Sequence, residues 1–387
     1  MKTRQIQSVM AVLVLLAALG GCSNPAGGDP GGGGGGADIT VGNQDLAAYL
    51  AGLPANNAAT PHVVALDSSV IIDTGDTSAN NVWNTINSVV KEAQKYVTLD
   101  LSACSAVNNT ITSRDLGDGI SDMNVIMGNE YIKGIILPDS LTSIGDYAFR
   151  ECNELTSITI PSGVTSIGEE AFYNCTGLTS ITIPSGVTSI GDGAFYYCRG
   201  LTSITIPSGV TSIGKWAFRE CSGLTSITIT IPSGVTSIGD SAFEGCTELT
   251  SIEIPSGVTS IGDGAFASTG LTSITIPSSV TSIGDSAFAS TDFTSVTIPS
   301  GVTSIGDYAF YNCTDLTSVT IPSSVTSIGA RAFFNCPKLN RVTMLSTATT
   351  IAEDNAFPPY NSNFRNAYTS GGAGTYALSG STWSKEP

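Results

Sequence analysis

The sequence has few charged residues and a single histidine among its 387 residues. Charged side chains make up 12% of the chain, about half of the usual share, and the net charge is −17. A chain this acidic repels nucleic acid and anionic lipid, so we expect neither as a ligand. One imidazole, His62, supports neither a Ser-His-Asp triad nor a multi-histidine metal site. We therefore predict a protein that is not an enzyme, with no catalytic residues, no cofactor and no metal.

Long apolar runs are also scarce. Residues 9–19 form one near the N-terminus, but it is too short to span a bilayer comfortably. Lys2 and Arg4 precede it, which is typical of an export signal. The letters LGGC at residues 19–22 end the run and resemble the bacterial lipobox, in which the signal is cut before the cysteine and the cysteine carries lipid. The resemblance implies lipid attachment at Cys22; the alternative is an ordinary secretory signal with an incidental cysteine.

A glycine-rich stretch, GGDPGGGGGG at residues 27–36, follows the lipobox. It has almost no side chains to bury and is typical of a flexible tether. A lipid, a tether and a folded body are the plan of an exported surface lipoprotein. We expect the lipid to be the chain's only contact with a membrane, and the outer membrane or cell surface to be its location.

One phrase recurs through most of the remaining chain, for example LTSITIPSGVTSIGDGAFYYC at residues 178–198. Its period falls within the range of leucine-rich repeats. The proline of the IP or LP step recurs at intervals of 22 to 25 residues, at Pro138, Pro161, Pro184, Pro207, Pro232, Pro255, Pro277, Pro299 and Pro322.

Within each repeat the residues predict one coil of a solenoid, made of a strand, a turn and a short helical turn. Ile181 and Ile183 flank Thr182, as in a strand with one buried face. The letters PSG at 184–186 predict a turn in which glycine adopts an unusual φ, and Asp192 is predicted to cap a short helical turn. We expect the recurring phenylalanines to stack into one buried spine: Phe149, Phe172, Phe195, Phe218, Phe243, Phe266, Phe288, Phe310, Phe333 and Phe357.

Seven of the nine cysteines share one position of the repeat. Zinc binding is one interpretation, but the chain has neither a CxxC pair nor a histidine near them. We favour buried thiols that fill small apolar spaces, because side chains stacked in one column point the same way and do not face each other for disulfides. The seven are Cys152, Cys175, Cys198, Cys221, Cys246, Cys313 and Cys336.

The repeated phrase closely resembles the repeats of the BspA-like leucine-rich repeat proteins of host-associated bacteria, over residues 131–345. The flanking letters LDLSAC and FRNAYTSGGAGTYALSGSTW also resemble segments of that family. The resemblance implies a leucine-rich repeat solenoid with a β-strand and a short helical turn in each coil. It also implies adhesion at the cell surface, by binding of host matrix or plasma proteins or of other bacteria. It carries over no catalytic or binding residue.

The predicted organisation has five segments. Residues 45–53 and 80–94 are predicted to be helices, and HVVAL, YVTLDL and IKGIIL to be strands. A short helix and a hairpin are predicted to close the C-terminal end. The segments are a lipoprotein signal peptide (1–21), a glycine-rich tether (22–37), an α+β N-terminal cap (38–130), the solenoid (131–345), and a degenerate last coil with a C-terminal cap (346–387).

Three columns of the repeat are candidate ligand surfaces. Hydroxyl side chains of the strands are predicted to point away from the core, as Ser180, Thr182, Ser203, Thr205 and Thr228 do, with Glu253 as the charged exception. A solvated sheet with high β-propensity is the simpler interpretation of these residues, and a platform for protein or glycan is the functional one. Aromatic residues cluster around the repeated AF: Tyr147, Tyr173, Tyr196, Tyr197, Trp216, Tyr308, Tyr311 and Phe334. They are typical of interface anchors, with loose packing as the alternative. The recurring aspartates suggest helix caps, with calcium as the alternative.

The sequence therefore predicts a lipid-anchored bacterial surface protein, an adhesin that binds a protein or glycan on host or bacterial surfaces. The alternative is a structural coat or spacer protein without a specific ligand, which the near-identical coils favour.

Overall fold

A computed structural model describes residues 39–41, 50, 53–55, 61–66, 71–72, 90–94, 96–101, 105–106, 110–111, 131–225, 231–352, 356–358 and 363–387. In these residues nine stacked coils run from 138 to 344, each starting at a repeat proline. We number them coils 1 to 9: residues 138–160, 161–183, 184–206, 207–231, 232–254, 255–276, 277–298, 299–321 and 322–344.

The described residues form short strands and little helix. One helix, α1, spans Asn363–Gly371, and residues 90–93 are also helical. The strands are β1 (Ile39–Val41), β2 (His62–Leu66), β3 (Ile71–Ile72), β4 (Val97–Asp100), β5 (Ser105–Ala106), β6 (Thr110–Ile111), β7 (Ile132–Ile136), β8 (Ser143–Ile144), β9 (Ser157–Thr159), β10 (Ser166–Ile167), β11 (Ser180–Thr182), β12 (Ser189–Ile190), β13 (Ser203–Thr205), β14 (Ser212–Ile213), β15 (Ser237–Ile238), β16 (Ser260–Ile261), β17 (Ser282–Ile283), β18 (Ser295–Thr297), β19 (Ser304–Ile305), β20 (Ser318–Ile321), β21 (Ser327–Ile328), β22 (Arg341–Met344), β23 (Thr350–Ile351), β24 (Gly374–Ser379) and β25 (Thr382–Lys385).

The predicted strand of the repeat is confirmed in coils 1 to 3 and 7 to 9, whereas coils 5 and 6 have no strand at the equivalent residues. Strands β11 and β13 pair parallel and in register, so that Ile181 lies beside Ile204 and Ser180 beside Ser203. The isoleucines are buried, whereas Ser180 and Thr182 are exposed. The period-2 alternation of the letters therefore gives one core face and one solvent face, as expected for a half-buried strand.

A second strand in each coil was missed by the sequence interpretation. Ser189–Ile190 and its equivalents stack into a parallel sheet that runs from β6 to β23, with eleven strands among the described residues. The preceding threonine strengthens this sheet, since Thr211 donates both its backbone N–H and its hydroxyl to the carbonyl of Thr188 one coil earlier. Two residues per strand are enough because each strand is paired on both sides along the stack.

The third side of each coil is a segment that we call the turn arm, residues 191–198 in coil 3. It is a run of hydrogen-bonded turns. The N–H groups of Gly193, Phe195 and Tyr197 donate to carbonyls of coil 4 at 2.7–2.9 Å. Positive φ angles recur two residues before and two residues after each phenylalanine, from Tyr147 and Glu151 in coil 1 to Arg331 and Asn335 in coil 9. These two positions turn the backbone so that alternate N–H groups point at the next coil.

Two expectations about the turns are wrong. The glycine of PSG, such as Gly186, is absent from the positive-φ residues, and several coils place serine there. Asp192 does not cap its own turn, because its Oδ1 accepts the backbone N–H of Lys215 in the next coil at 2.8 Å. Six aspartates make this bridge between coils, with distances of 2.7–3.2 Å: Asp146, Asp192, Asp240, Asp263, Asp285 and Asp307.

The predicted phenylalanine spine is confirmed. From Phe149 to Phe357 each ring stacks on the next with centroids 4.8–5.6 Å apart and planes within 17° of parallel. The nine rings of coils 1 to 9 are fully buried. Offset-stacked aromatic pairs contribute roughly 0.5–1.5 kcal/mol beyond the burial of their area. The spine is therefore both the core and a continuous line of coil-to-coil contacts.

A glycine that begins each turn arm lets the coils approach closely. A Cβ on Gly191 would lie 2.5 Å from the carbonyl carbon of Gly168, which holds the same position in coil 2. A Cβ on Gly168 would in turn lie 2.4 Å from Oδ1 of Asp146. Only glycine fits this column, so the backbones themselves are in contact there.

All seven cysteines of the column are free and buried, as predicted. Each of six also donates its S–H to the phenylalanine carbonyl of the preceding coil, for example Cys198 to Phe172 at 3.0 Å. Burial raises the pKa of the Cys175, Cys221 and Cys246 thiols. In the two coils that are one residue shorter, Thr269 and Thr291 take this place and bond the phenylalanine carbonyl of their own coil. The column thus combines packing with weak hydrogen bonds.

The N-terminal segment adds parallel strands to the long strand of coil 1. β1, β2, β4, β7 and β9 pair parallel in that order, so the sheet passes through the boundary predicted between residues 130 and 131. The predicted strands HVVAL, YVTLDL and IKGIIL are confirmed by β2, β4 and β7. Leu99 lies beside Val64 and beside Ile135, so about 35 residues separate these strands. These longer connections hide the period. Most of the two predicted helices lies outside the described residues, and residues 50 and 90–93 are helical.

The C-terminal end has the predicted helix and hairpin. β24 pairs antiparallel with β22 and with β25, and so covers the edge of the long-strand sheet. Phe364 of α1 packs on Phe357, with Trp383 and Tyr376 against its other sides. These aromatic rings close the end of the phenylalanine spine. The two-residue insertion of coil 4 falls on residues 226–230, which lie outside the described residues.

Candidate ligand surface

The hydroxyl face of the long strands is exposed as predicted. Thr182, Thr205 and Glu253 are exposed, Ser180 is exposed, and Ser203 is half-buried. Ser180 lies beside Ser203 and Thr182 beside Thr205, so the hydroxyls form straight columns across neighbouring coils. Thr228 lies outside the described residues. Among the described residues the face carries mostly hydroxyl groups, with Glu253 and Arg341 as charged members.

Tyrosines of coils 1 to 3 and arginines of coils 1, 3 and 4 form a continuous ridge along the turn arms. We call it the aromatic ridge and define it as Tyr147, Arg150, Tyr173, Tyr196, Tyr197, Arg199 and Arg219. Its rings and guanidinium groups alternate: Arg150 lies 4.7 Å from the Tyr173 ring, and Tyr173 packs edge-on against Tyr196 at 5.3 Å. Tyr196 stacks on Tyr197 at 4.3 Å, and Arg199 and Arg219 lie over these two rings. Side chains from four coils thus make one surface.

The charges of the aromatic ridge are paired within it. Arg150 lies 3.2 Å from Glu170, and Arg219 lies 3.0 Å from Glu244. Burial, together with a hydrogen bond to Glu169, raises the pKa of Tyr147 to about 12. Burial also raises the pKa of Tyr196 to about 12, helped by its contact with Tyr197. Tyr147 and Tyr196 therefore stay protonated as hydroxyl donors at physiological pH.

A second and smaller cluster lies on coils 8 and 9, and we call it the distal patch. Tyr308 packs edge-on against Tyr311 at 5.7 Å, Tyr311 stacks on Phe334 at 5.9 Å, and Arg331 donates to the Tyr308 hydroxyl at 2.8 Å. Coils 5 to 7 carry small side chains at most of the equivalent positions: Ser241, Gly245, Gly264, Ala267, Ser268, Ser286, Ala289 and Ser290. The aromatic positions therefore fall into two groups and do not cover the whole solenoid.

Trp216 differs from the other aromatic residues. Its side chain is 42% exposed, and only Leu345 among the described residues is another exposed large apolar side chain. Within the described part of the chain, the indole has no ring, cation or hydrogen-bond partner. Tyr147, Tyr173, Tyr196 and Tyr197 are half-buried in contacts with each other and with arginines. The structure thus separates one free ring from a set of mutually packed rings.

The aspartates considered for calcium and the single histidine take part in structural hydrogen bonds. The aspartates proposed for calcium use one oxygen each to accept a backbone N–H of the next coil, which serves the stacking of coils. Among the residues that the structure describes, no group of three or more histidine, cysteine, aspartate or glutamate side chains comes together to hold a metal ion. The ring of His62, at the start of β2, bonds the carbonyl of Pro54 at 3.0 Å.

The predicted lipid-attachment residue Cys22 and the glycine-rich tether lie outside the described residues. Across the described ranges, no helix is both long and apolar enough to cross a bilayer.

The fold is that of a leucine-rich repeat solenoid, in which parallel strands, turns and a spine of large side chains recur with each coil. The profile of the BspA type leucine-rich repeat region, with six copies, matches residues 123–249 and 236–364, which is more than half of the chain. The chain therefore belongs to the BspA-type leucine-rich repeat family.

Several solved structures are similar. A leucine-rich cell surface protein from Faecalibacterium prausnitzii is 29% identical, with 61% of this chain and 86% of that chain covered and a TM-score of 0.32. A leucine-rich repeat protein from Bacteroides ovatus is 25% identical, with 66% and 83% covered and a TM-score of 0.35. The pneumococcal vaccine antigen PcpA is 20% identical, with 65% and 68% covered and a TM-score of 0.41. No curated protein matches the chain.

Proposed function

We propose that this protein is a lipid-anchored bacterial surface protein that binds a macromolecular ligand through the turn arms of coils 1 to 4. The observation that carries the proposal is the aromatic ridge, a surface of tyrosine and arginine side chains held by a stacked backbone. Tyrosine and arginine are the residues most enriched at binding hot spots. Because the ridge is already packed and its charges are paired, its side chains lose little freedom when a ligand binds.

The anchoring half of the proposal rests on the lipobox at residues 19–22 and on the tether that follows. Multiple acyl chains on one cysteine give stable membrane attachment, whereas one chain gives only marginal binding. An adhesin needs such an attachment, because it transmits the pull of its ligand to its own cell.

The binding half is tested with a variant whose replacements already occur at the same positions in other coils. Tyr173→Ala and Tyr196→Ala follow Ala267 and Ala289, and Tyr197→Ser follows Ser268 and Ser290. The assay is saturable binding of the purified protein to epithelial cells and to surfaces coated with matrix or plasma proteins. We expect at least tenfold weaker binding for the triple variant, with Tyr311→Ala, on the distal patch, as the matched control.

Wild-type protein that binds none of these surfaces would contradict the proposal, and so would a triple variant that binds like wild type while its thermal melt is unchanged.

The anchoring half is tested by mass spectrometry of the N-terminus and by protease treatment of intact cells. We expect an acylated N-terminus at Cys22, accessibility of the solenoid to protease from outside, and an uncut, unacylated precursor for Cys22→Ser. A mature, unmodified N-terminus beyond residue 22 would refute anchoring and leave an exported repeat protein.

A coat or spacer protein without a specific ligand is the second candidate. The observation that favours it is the repetitive hydroxyl face, where the same serine and threonine recur with Glu253 and Arg341 as charged exceptions. The two candidates differ in the binding assay, because a spacer shows no saturable binding.

A further inference from the structure

The exposed indole of Trp216 stands beside smaller residues in its own column. Trp216 holds the position two residues before the repeated phenylalanine, where coil 3 has Gly193 and coil 5 has Ser241. Gly193 is buried, and a Cβ there would lie 3.0 Å from Cγ of Glu170 in coil 2. Ser241 is short and half-buried, and the Trp216 side chain keeps 42% of its surface exposed. A flat ligand therefore has access to the exposed part of the indole.

The backbone around Trp216 is fixed. Its N–H donates to the carbonyl of Asp240 at 2.9 Å, and its carbonyl accepts the N–H of Arg219 at 3.0 Å. Its φ is +57°, a conformation that is uncommon for a bulky residue. Serine occupies the same position with a similar φ in coils 5 and 7. A large aromatic ring at this position is thus neither required by the fold nor favoured by the backbone.

Charged side chains lie near Trp216 in the chain and in the next coil, and they are paired with each other. Lys215 Nζ lies 2.8 Å from Asp240 Oδ2, and Arg219 lies 3.0 Å from Glu244. Asp192 Oδ1 accepts the N–H of Lys215. A free cationic or anionic ligand would find each of these charges already paired. A neutral ligand rich in hydroxyl groups needs no unpaired charge and can share the polar atoms of these pairs.

We infer that Trp216 is the stacking platform of a glycan-binding site, on which one face of a neutral pyranose ring lies. The inference rests on the proposed binding function and names its ligand class. The C–H groups on the face of a pyranose ring are weakly positive and match the negative face of the indole. Lys215, Arg219, Asp240 and Glu244 supply hydrogen bonds to hydroxyl groups at the ring edge.

The test uses the full folded chain of the mature protein and an array of immobilised glycans that includes neutral, sialylated and sulfated members. The best neutral glycan is then titrated, with saturation-transfer NMR and tryptophan fluorescence as readouts. We expect binding to a neutral glycan, transfer of saturation to the C–H face of one sugar ring, and a shift of the fluorescence to shorter wavelength as the exposed indole is covered.

The key variant is Trp216→Ser, because serine occupies this position in the adjacent coil. We expect at least tenfold weaker glycan binding with an unchanged thermal melt, and an intermediate loss for Trp216→Phe. The matched control is Tyr308→Ser, at the same position of coil 8, which should bind as wild type does.

Three outcomes overturn the inference: wild-type protein that binds no neutral glycan, binding restricted to charged glycans, or a Trp216→Ser variant that binds glycan as wild type does. If Trp216→Ser loses binding to a protein-coated surface while no glycan is bound, the glycan site fails and the proposed binding function stands. If glycan binding is confirmed but intact cells hold no accessible protein, the surface location fails and the glycan site stands.

Discussion

Truncation of one ring of the phenylalanine spine should destabilise several coils together. Phe195 is fully buried, and its ring stacks on Phe172 at 5.3 Å and on Phe218 at 5.4 Å. Phe→Ala substitutions in cores cost about 3–5 kcal/mol, through lost burial and through the cavity that remains. We expect Phe195→Ala to lie in the upper half of that range. The backbone of its arm is bonded to coils 2 and 4, so it does not collapse into the space.

The loss should spread along the stack, since a solenoid is stabilised by contacts between nearest neighbours. Urea unfolding gives the total free energy, and hydrogen exchange followed by mass spectrometry shows which coils open. We expect coils 2 to 4 to lose protection before coils 8 and 9. The control is Tyr311→Ala, a half-buried aromatic beside the spine, for which we expect roughly 1 kcal/mol. A loss below ~1 kcal/mol for Phe195→Ala, or one confined to coil 3, would refute the reasoning.

Three further predictions concern the contacts between coils. Gly191→Ala should lower the melting temperature by several degrees because its Cβ meets the backbone of Gly168 at 2.5 Å, whereas Gly186→Ala, 3.3 Å from the nearest atom, should melt within about 2 °C of wild type. Asp263→Ala should cost roughly 1 kcal/mol in urea unfolding because it leaves the N–H of Asp285 without its carboxylate, and Asp263→Asn, which keeps an acceptor oxygen, should recover most of it. Burial raises the pKa of the Cys175, Cys221 and Cys246 thiols above the unfolded value of about 9, so the stability that they contribute is present below pH 9 and is lost as the pH rises further. A variant with threonine at these three positions should show a smaller fall of the melting temperature between pH 9 and 11 than wild type. An equal fall would contradict the connection between thiol ionisation and stability.

The sequence was sufficient for what repeats within one coil. Period and alternation predicted the strand at Ser180–Thr182, the Phe195 spine and the Cys198 column, because each depends on which face of its own coil a residue occupies. The C-terminal helix and hairpin were also predictable from their local letters.

Contacts between coils were harder to predict. The period tells which residues lie above each other, but not which backbone atom a side chain meets in the next coil. Asp192 therefore resembled a helix cap although it bonds to Lys215, and Cys198 resembled a filler although it also bonds to the Phe172 carbonyl. Nothing in the sequence indicated the positive φ of Tyr147 and Trp216, since neither residue type favours that conformation. The pairing of the N-terminal strands with the first coils was not predicted, because the long connections between these strands remove the 23-residue period.

The order of the coils has a mechanical consequence. β1 and β25 lie at opposite ends of the stack of coils, so a pull applied between the two ends of the described chain acts along the stack. Under such a load, hydrogen bonds and ring contacts between two coils break together and those of the next pair remain. Each rupture frees one coil of 22–25 residues, which is about 80 Å of extended chain. A single molecule stretched by optical tweezers between its two ends should lengthen in steps of that size, so the solenoid would yield coil by coil in place of one all-or-none unfolding.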